Sequence, residues 1–273
     1  MSRIWFSQPL ETAATYWRVF RRDGVTLGFT THDRDLWFDG VLHRSAPGMV
    51  PSAIRRSADL DPDSAEVQGA LSHDAISAAD LALGRFDRAR VTIGLVDWEN
   101  LDRREIYRGT IGTVTEEAGS FTAALESRKL ELQRDPVPRT SPSCRAAFCG
   151  PGCTLSAARF EHSATVAGFD SAANAVAIAP DLSGTDLIGG TLRWLDGPYA
   201  ELAMQIVAAG TVGLVLDTPL DLPVAVGARV LMREGCDRTL ATCSGRFGNA
   251  INFQGEPHLP GNDMMTRYPA PGA

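Results

Sequence analysis

The sequence predicts a mainly β fold with a few short helices, arranged as two or more small barrel or sandwich domains. Many short runs alternate apolar and polar residues with a period of two, which is typical of half-buried strands. Links rich in Asp, Gly, Pro and Ser separate these runs at nearly even spacing. With 273 residues, 44% of them apolar, the chain can build the core of one large or two ordinary domains.

The first strands are expected between Tyr16 and Ser45. The dipeptides Asp23-Gly24 and Asp39-Gly40 lie between extended runs and are strong hairpin turns, so they predict an antiparallel meander. Four polar side chains of this stretch could form a hydrolytic metal site. Polar residues on the solvated face of a hairpin give the same pattern, and we favour that interpretation. The four residues are His32, Asp33, Asp35 and Asp39.

Helical periodicity in the first half is clear from Leu71 to Arg85, with Ser72 as the candidate N-cap and Gly84 as the stop. A second, short helix is expected from Arg128 to Arg134, before a Pro-rich stretch. Between the two helices, alternation with a period of two predicts further strands. These strands run over 89–98, 105–115 and 121–125.

A composition break near 140–163 precedes a second series of short strands, which we interpret as a small barrel or sandwich. The predicted strands are 164–169, 175–178, 190–195, 201–207, 212–216 and 228–233. The predicted division is a β-rich N-terminal region at 1–140, a cysteine-bearing linker at 141–163, a second β-barrel domain at 164–235, and a cysteine-bearing C-terminal segment at 236–273.

All five cysteines lie in two short segments rich in Gly, Pro, Ser and Arg. The first segment has Cys144, Cys149 and Cys153 at C-x4-C-x3-C spacing, and the second has Cys236 and Cys243 at C-x6-C spacing. Cysteines that merely fill a core would lie within a periodic apolar pattern, so this clustering favours metal ligation. Because 82 residues separate the two segments, a shared metal group would close a long loop.

Disulfides and unrelated free thiols are the alternatives to a metal site. An odd number of cysteines would leave one thiol over in a disulfide framework. The N-terminus has no secretory signal, so we expect folding in the cytosol, where thiols stay reduced. All-sulfur coordination suits zinc and iron–sulfur about equally. The tight C-x2-C knuckles of zinc ribbons are absent, so the spacing leans slightly to iron–sulfur, with zinc as the alternative.

The sequence carries no recognisable catalytic motif. It lacks G-x4-G-K-[ST], G-x-S-x-G, H-E-x-x-H and a G-x-G-x-x-G after a strand, so we expect no enzyme. His258 is interpreted as a loop histidine rather than a general base, and Asn249 and Asn252 as turn-makers. A net charge of −7 and a pI near 5.3 argue against tight binding of nucleic acid. No 18-residue apolar stretch predicts a membrane helix.

The two cysteine segments resemble the tail hub proteins of gene transfer agents and related prophages, which are similar in role to phage tail tip protein L. The early stretch DGVTLGFTTHDRDLWFDG shares the resemblance. The first family motif, C-R-x-x-[LF]-G-x-x-x-C, is matched by Cys144, Arg145, Phe148 and Cys153, and Cys149 stands where the family has glycine. The second, C-D-x5-C followed by F-x-N-x-x-N-F-x-G-x-P-H, is matched by Cys236, Asp237, Cys243, Phe247, Asn249, Asn252, Phe253, Gly255, Pro257 and His258.

The resemblance implies a structural hub with domains similar to phage tail tube domains, stapled by an iron–sulfur cluster of the 4Fe-4S type. It implies Cys144, Cys153, Cys236 and Cys243 as ligands, with Cys149 as a bystander or substitute ligand. It also implies a homotrimer in the baseplate of a virion tail, assembled in the bacterial cytoplasm. The implied partners are a distal tail ring protein, a tip or fibre protein of the megatron type, and a tape-measure protein or cell-wall peptidase. DNA would pass through the ring without tight binding. An iron–sulfur electron-transfer protein and a zinc-stabilised binding module are the alternative functions.

Overall fold

The computed structural model describes residues 11–45, 49–51, 64–70, 76–117, 120–133, 137–180 and 187–259. The chain divides into two compact units, Met1–Pro136 and Val137–Ala273. Both are rich in strands, so the predicted mainly β class is confirmed. The finer division at 141–163 and 236–273 stays a prediction.

The first unit contains a nine-stranded sheet. Its strands are β1 (Ala13–Phe20), β2 (Thr26–Thr30), β3 (Leu36–Phe38), β4 (Val41–Arg44), β5 (Met49–Pro51), β6 (Ser64–Ala70), β7 (Arg90–Asp97), β8 (Arg103–Glu117) and β9 (Ser120–Ser127). Across the sheet the order is β3-β4-β2-β1-β7-β8-β9-β6-β5. Among these described strands, β2 and β4 pair in parallel and the other neighbours are antiparallel.

The meander predicted for Tyr16 to Ser45 is only partly correct. The turns at Asp23-Gly24 and Asp39-Gly40 do join antiparallel pairs, β1 with β2 and β3 with β4. The simple order was wrong, because β4 rather than β3 lies beside β2. Gly28 permits this pairing, since a Cβ there would lie 2.6 Å from the carbonyl oxygen of Leu42 on β4.

Alternation along the strands builds the core of the first unit. Every second residue of β9 is buried, and the buried side chains of β1, β7, β8 and β9 pack with those from the segment around α1 (Ala78–Ala82). The largest side chains of this core that are under 2% exposed are Trp17, Phe29 on β2, Ile76, Phe86 and Ile93. The helix predicted from Leu71 is shorter than expected: Ser77 caps it, and Ser72 lies outside the described residues.

A buried histidine lies between β2 and β3. The ring of His43 on β4 is fully buried, stacks on Phe38 at 3.8 Å and meets Tyr16 edge to face. Its Nε2 accepts a hydrogen bond from Arg18 Nε at 2.9 Å, so its Nδ1 carries the proton and donates to the Leu36 carbonyl at 3.3 Å. Burial, and then the charge of Arg18, lower the pKa of His43 to about 4.

The second unit is built around a closed six-stranded barrel, as the strand spacing predicted. Its strands are β10 (Glu161–Asp170), β11 (Ala175–Ala179), β12 (Thr191–Trp194), β13 (Ala203–Gly210), β14 (Gly213–Leu216) and β15 (Arg229–Arg233). They close in the order β10-β11-β14-β13-β12-β15. Alternate side chains fill the interior, including Val166, Leu192, Trp194, Ile206 and Met232.

Barrel closure brings two cysteine-bearing arms to the same place. The first and last strands pair, with Glu161 opposite Arg233. The chain therefore enters the barrel beside the point at which it leaves. The arm before β10 covers 137–160, and the arm after β15 covers 234–259. The second arm contains α3 (Leu240–Gly245), which the sequence analysis did not predict.

The remaining helical elements are short. Helix α2 (Lys129–Leu132) lies within the range predicted for it, and 3₁₀ turns lie at Ala157–Arg159 and Ala250–Asn252. Among the described residues, none of the helices has the length and apolar character that a membrane crossing needs.

Candidate metal centre

Main-chain hydrogen bonds join the two arms directly. The amide of Cys144 donates to the Arg238 carbonyl at 2.9 Å, and the amide of Arg145 donates to the Gln254 carbonyl at 2.9 Å. The amide of Glu256 donates to the Ser141 carbonyl at 2.7 Å. The cysteines of two sequence segments therefore meet through backbone contacts that do not depend on the sulfur atoms.

Four of the five cysteines line one small cavity between the arms. These are Cys144, Cys153, Cys236 and Cys243, the four ligands that the family resemblance implied. The cavity has a volume of about 20 Å³, and its other lining residues include Phe148, Phe247, Asn249 and Asn252. The two arms thus converge on a single space with a sulfur-rich wall.

The four sulfur-bearing residues differ in exposure. Cys153 and Cys243 are each 9% exposed, whereas Cys144 and Cys236 are half-buried. Cys243 is held in α3, whose N-terminus is capped by the Thr239 side chain. The turn before Cys153 needs glycine at 152, where φ is +86° and a Cβ would lie 2.3 Å from the Gln254 side chain.

Two N–H groups point at cysteine sulfurs. The amide of Gln254 donates to Cys144 Sγ at 3.4 Å, and Asn249 Nδ2 lies 3.8 Å from Cys153 Sγ. Asn249 Nδ2 also donates to the Cys153 carbonyl at 2.7 Å. Donors to sulfur stabilise the thiolate form and are one of the ways in which proteins adjust iron–sulfur clusters.

Burial and repulsion by neighbouring thiolates both oppose ionisation of Cys236 and Cys243. Burial raises the pKa of the Cys243 thiol, and the neighbouring Cys144, Cys236 and Cys153 raise it further. Burial also raises the pKa of Cys236, although the Arg238 amide opposes it. Four thiolates in one cavity therefore need a bound cation, because its attraction to each thiolate outweighs the repulsion between them.

Cys149 stands apart from the other four. It is not among the residues that line the cavity, is half-buried, and has a left-handed backbone with φ of 57°. That conformation suits the glycine that the family motif carries at this position. Burial raises the pKa of its thiol, Cys153 raises it further, and Arg233 opposes both. The thiol thus lies near the group of four without joining the wall.

Three phenylalanine rings form an apolar wall beside the cysteines. Phe148, Phe160 and Phe247 contact one another with ring centroids 4.9 to 5.4 Å apart. Two of them, Phe148 and Phe247, also line the cavity. Apolar surroundings exclude water, which protects a bound metal group and influences its reduction potential.

Ion pairs close the outer side of the arms. The carboxylate of Glu256 accepts from the Ser141 amide at 2.9 Å and from Arg145 Nη1 at 2.6 Å, and these two bonds lower its pKa to about 2. Glu234 pairs with Arg246, and Arg246 also donates to the Gly235 carbonyl at 3.1 Å. The Glu256 contacts hold the second arm against the first, and the Arg246 contacts join two parts of the second arm.

The residues that line this cavity are of the types that bind a metal group through sulfur. Within the described ranges, no three His, Cys, Asp or Glu side chains converge closely enough to hold a single metal ion. A zinc ion needs four sulfurs at about 2.3 Å from one point. A cluster that binds one thiolate at each of several iron atoms also takes four cysteines, and N–H donors and an apolar wall are usual around such clusters.

The other residues singled out in the sequence do not assemble into a site. Asp39 pairs with Arg18 and Arg103, Asp35 accepts from the Ser45 amide, and His32 contacts its neighbours Asp33 and Arg34. His258 is exposed. The contacts of Asn249 with cysteine were not predicted from the sequence; in the structure this polar side chain stands out because it is only 6% exposed.

Two family models match parts of the chain. Residues 5–156 match the family described as baseplate hub protein, N-terminal attachment domain, and this range includes the first three cysteines. Residues 187–263 match the family described as phage conserved hypothetical protein BR0599, and this range includes the last two. Among curated proteins, none matches the chain.

A solved structure is similar over nearly the whole length. The chain is 33% identical to a chain of the virion of a native gene transfer agent particle, with a TM-score of 0.85. The similarity covers 99% of this chain and 96% of the other.

Proposed function

The chain belongs to the family of baseplate hub proteins, and from this premise we propose that it forms a ring at the tip of a phage-like tail or gene transfer agent particle. The observation that carries the proposal is the similarity to a gene transfer agent virion chain over 99% of this chain, at 33% identity. It is a structural component of a virion tail. The ring would connect the tail tube and a distal tail ring protein to tip or fibre proteins.

The proposed ring is a homotrimer through which DNA passes. The net charge of −7 supports free passage, because each phosphate that a protein neutralises adds affinity for DNA. A tape-measure protein or a cell-wall peptidase would lie nearby. Cross-linking or native mass measurement on assembled particles should find three copies per tail, and the free protein should not bind duplex DNA at physiological salt. Six copies per tail, or tight salt-sensitive DNA binding, would contradict the proposal.

Within the hub, we propose that Cys144, Cys153, Cys236 and Cys243 hold a 4Fe-4S cluster. The shared cavity, the N–H donors to sulfur and the apolar wall support this assignment. Bound iron would neutralise the four thiolates and join the arms. The chain's own residues would position the ligands through the three main-chain bonds and keep water away through Phe148 and Phe247. The role is structural, since the cluster would fasten the second arm to the first.

Metal analysis of anaerobically purified protein tests the cluster. We expect iron and acid-labile sulfide with visible absorption, and loss of that absorption when any one of the four cysteines is replaced by serine. The matched control is Cys149→Ser, which should keep the absorption because this side chain does not line the cavity. Colourless protein that contains zinc, or equal loss in the control, would overturn the ligand assignment.

A further inference from the structure

A single buried asparagine contacts both of the buried cysteines. Asn249 is 6% exposed, and its side-chain Nδ2 lies 2.7 Å from the carbonyl oxygen and 3.8 Å from the sulfur of Cys153. Its own backbone amide donates to the Cys243 carbonyl at 2.9 Å. One residue thus links a cysteine of the first arm to a cysteine of the second.

The amide of Asn249 is held in one orientation by a neighbour. Asn252 Nδ2 donates to Asn249 Oδ1 at 2.7 Å. Because the oxygen is engaged there, the NH₂ group must face Cys153, where it finds a carbonyl and a sulfur to bond. A rotated amide would place its oxygen against two acceptors and leave all of these bonds unmade.

We propose that Asn249 is a positioning residue that fixes Cys153 for metal binding and adjusts the electron affinity of the bound cluster through its N–H group. The inference rests on the proposed function, since it assumes that the four cysteines hold a cluster. A hydrogen-bond donor at a ligating sulfur disperses its negative charge, which makes an added electron easier to accept. Asn252 acts through Asn249 by orienting the amide.

The substitution Asn249→Asp tests this role with almost no change in shape. It replaces the donor by a charged acceptor beside Cys153, so the reduced cluster becomes less favourable. We expect at least a tenfold shift of the one-electron reduction equilibrium towards the oxidised form, which corresponds to 59 mV. We also expect at least tenfold faster loss of iron to a chelator. Both are followed by visible absorption, the first in a titration with a chemical reductant.

Asn174 offers a matched control. It is an asparagine of the barrel whose Nδ2 donates to the carbonyls of Leu216 and Thr218 at 3.0 and 2.9 Å. Its replacement by aspartate removes similar bonds from a site without cysteine contacts. The variant Asn174→Asp should lower the stability of the barrel and leave the reduction equilibrium and the rate of iron loss unchanged.

The outcomes separate this inference from the proposed function. Protein without iron would refute the cluster itself. A wild-type cluster whose reduction and iron loss are unaffected by Asn249→Asp would refute only the role of Asn249. If that variant does not take up iron, Asn252→Ala decides: a shift of its potential in the same direction supports the role, and the wild-type potential overturns it.

Discussion

Acidification should open the first unit through its buried histidine. In the folded protein His43 is neutral at pH 7, because burial and the charge of Arg18 lower its pKa to about 4 from an ordinary 6.5. In the unfolded chain the same ring takes up a proton as the pH falls below 6.5. Between pH 6.5 and 4 the unfolded state therefore binds more protons than the folded state. The free energy of unfolding decreases as the pH is lowered through this range.

The size of the effect follows from the two pKa values. At 1.36 kcal/mol per pH unit, a pKa lowered from 6.5 to about 4 corresponds to a loss of about 3 kcal/mol when the pH falls from 7 to 4. Measurements should stop at pH 4.5, where most of the loss has occurred. Asp39 stays ionised there, because its bonds to Arg18 and Arg103 outweigh its burial and lower its pKa.

Hydrogen exchange of the full-length protein, read for peptides that cover β1 and β4, measures the local opening free energy at each pH. We expect it to fall by about 2 to 3 kcal/mol between pH 7 and 4.5. His43→Gln should be less stable at pH 7, since it loses the stacking on Phe38, and should show a much smaller pH dependence. Phe38→Leu is the control: it destabilises the same contact but keeps the titrating ring, so its pH dependence should persist. Equal slopes in the wild type and His43→Gln would refute the reasoning.

Three further predictions concern the arms and the sheet. If the proposed iron–sulfur cluster is present, its removal should release the second arm first and lower stability by about 4 to 5 kcal/mol, on the assumption that it restricts the unfolded chain as a disulfide closing 82 residues would. An unchanged melting temperature and unchanged proteolysis near Gly235 would contradict this. Glu256→Gln should speed hydrogen exchange at 141–145 and 254–256, because it weakens the bonds of residue 256 to Ser141 and Arg145. The control Glu201→Gln breaks the exposed pair with Arg193 and should not change exchange there. Identical exchange in both variants would count against the Glu256 contacts. Gly28→Val should destabilise the first unit by about 1 to 3 kcal/mol in urea unfolding, because the new side chain would meet the Leu42 carbonyl. In the control Gly210→Ala, the new methyl group points into open space and should be tolerated. A Gly28→Val variant as stable as the wild type would show that β4 can move away from β2.

Much of the fold could be predicted because its signals are local. The alternation along β9 and the turns at Asp23-Gly24 and Asp39-Gly40 depend on neighbours in sequence, and the structure confirms them. The barrel followed from evenly spaced strands in the same way. The parallel pairing of β2 with β4 could not be predicted, since it depends on the close approach of Leu42 to Gly28 from outside the hairpin.

The candidate site, too, could be predicted only where the signals are local in sequence. Cysteine clustering was visible in the sequence, but which sulfurs share a cavity depends on backbone conformations set by distant contacts. Cys149, Gly152 and Arg238 all have positive φ, and the turns that they form direct four cysteines inward and leave one aside. Asn249 was interpreted as a turn-maker because the sequence shows only its local surroundings. Its bond to Cys153 joins residues that are 96 positions apart. The buried state of His43 was missed for a similar reason.

The seam between β10 and β15 has a mechanical consequence. Both arms leave the barrel at this seam and are bonded to each other outside it, through Cys144 with Arg238 and Arg145 with Gln254. A pull applied between residue 137 and residue 259 would therefore load the joined arms before it reached the strands. The bonds between the arms would therefore carry the force, and the hydrogen bonds of the barrel strands would not.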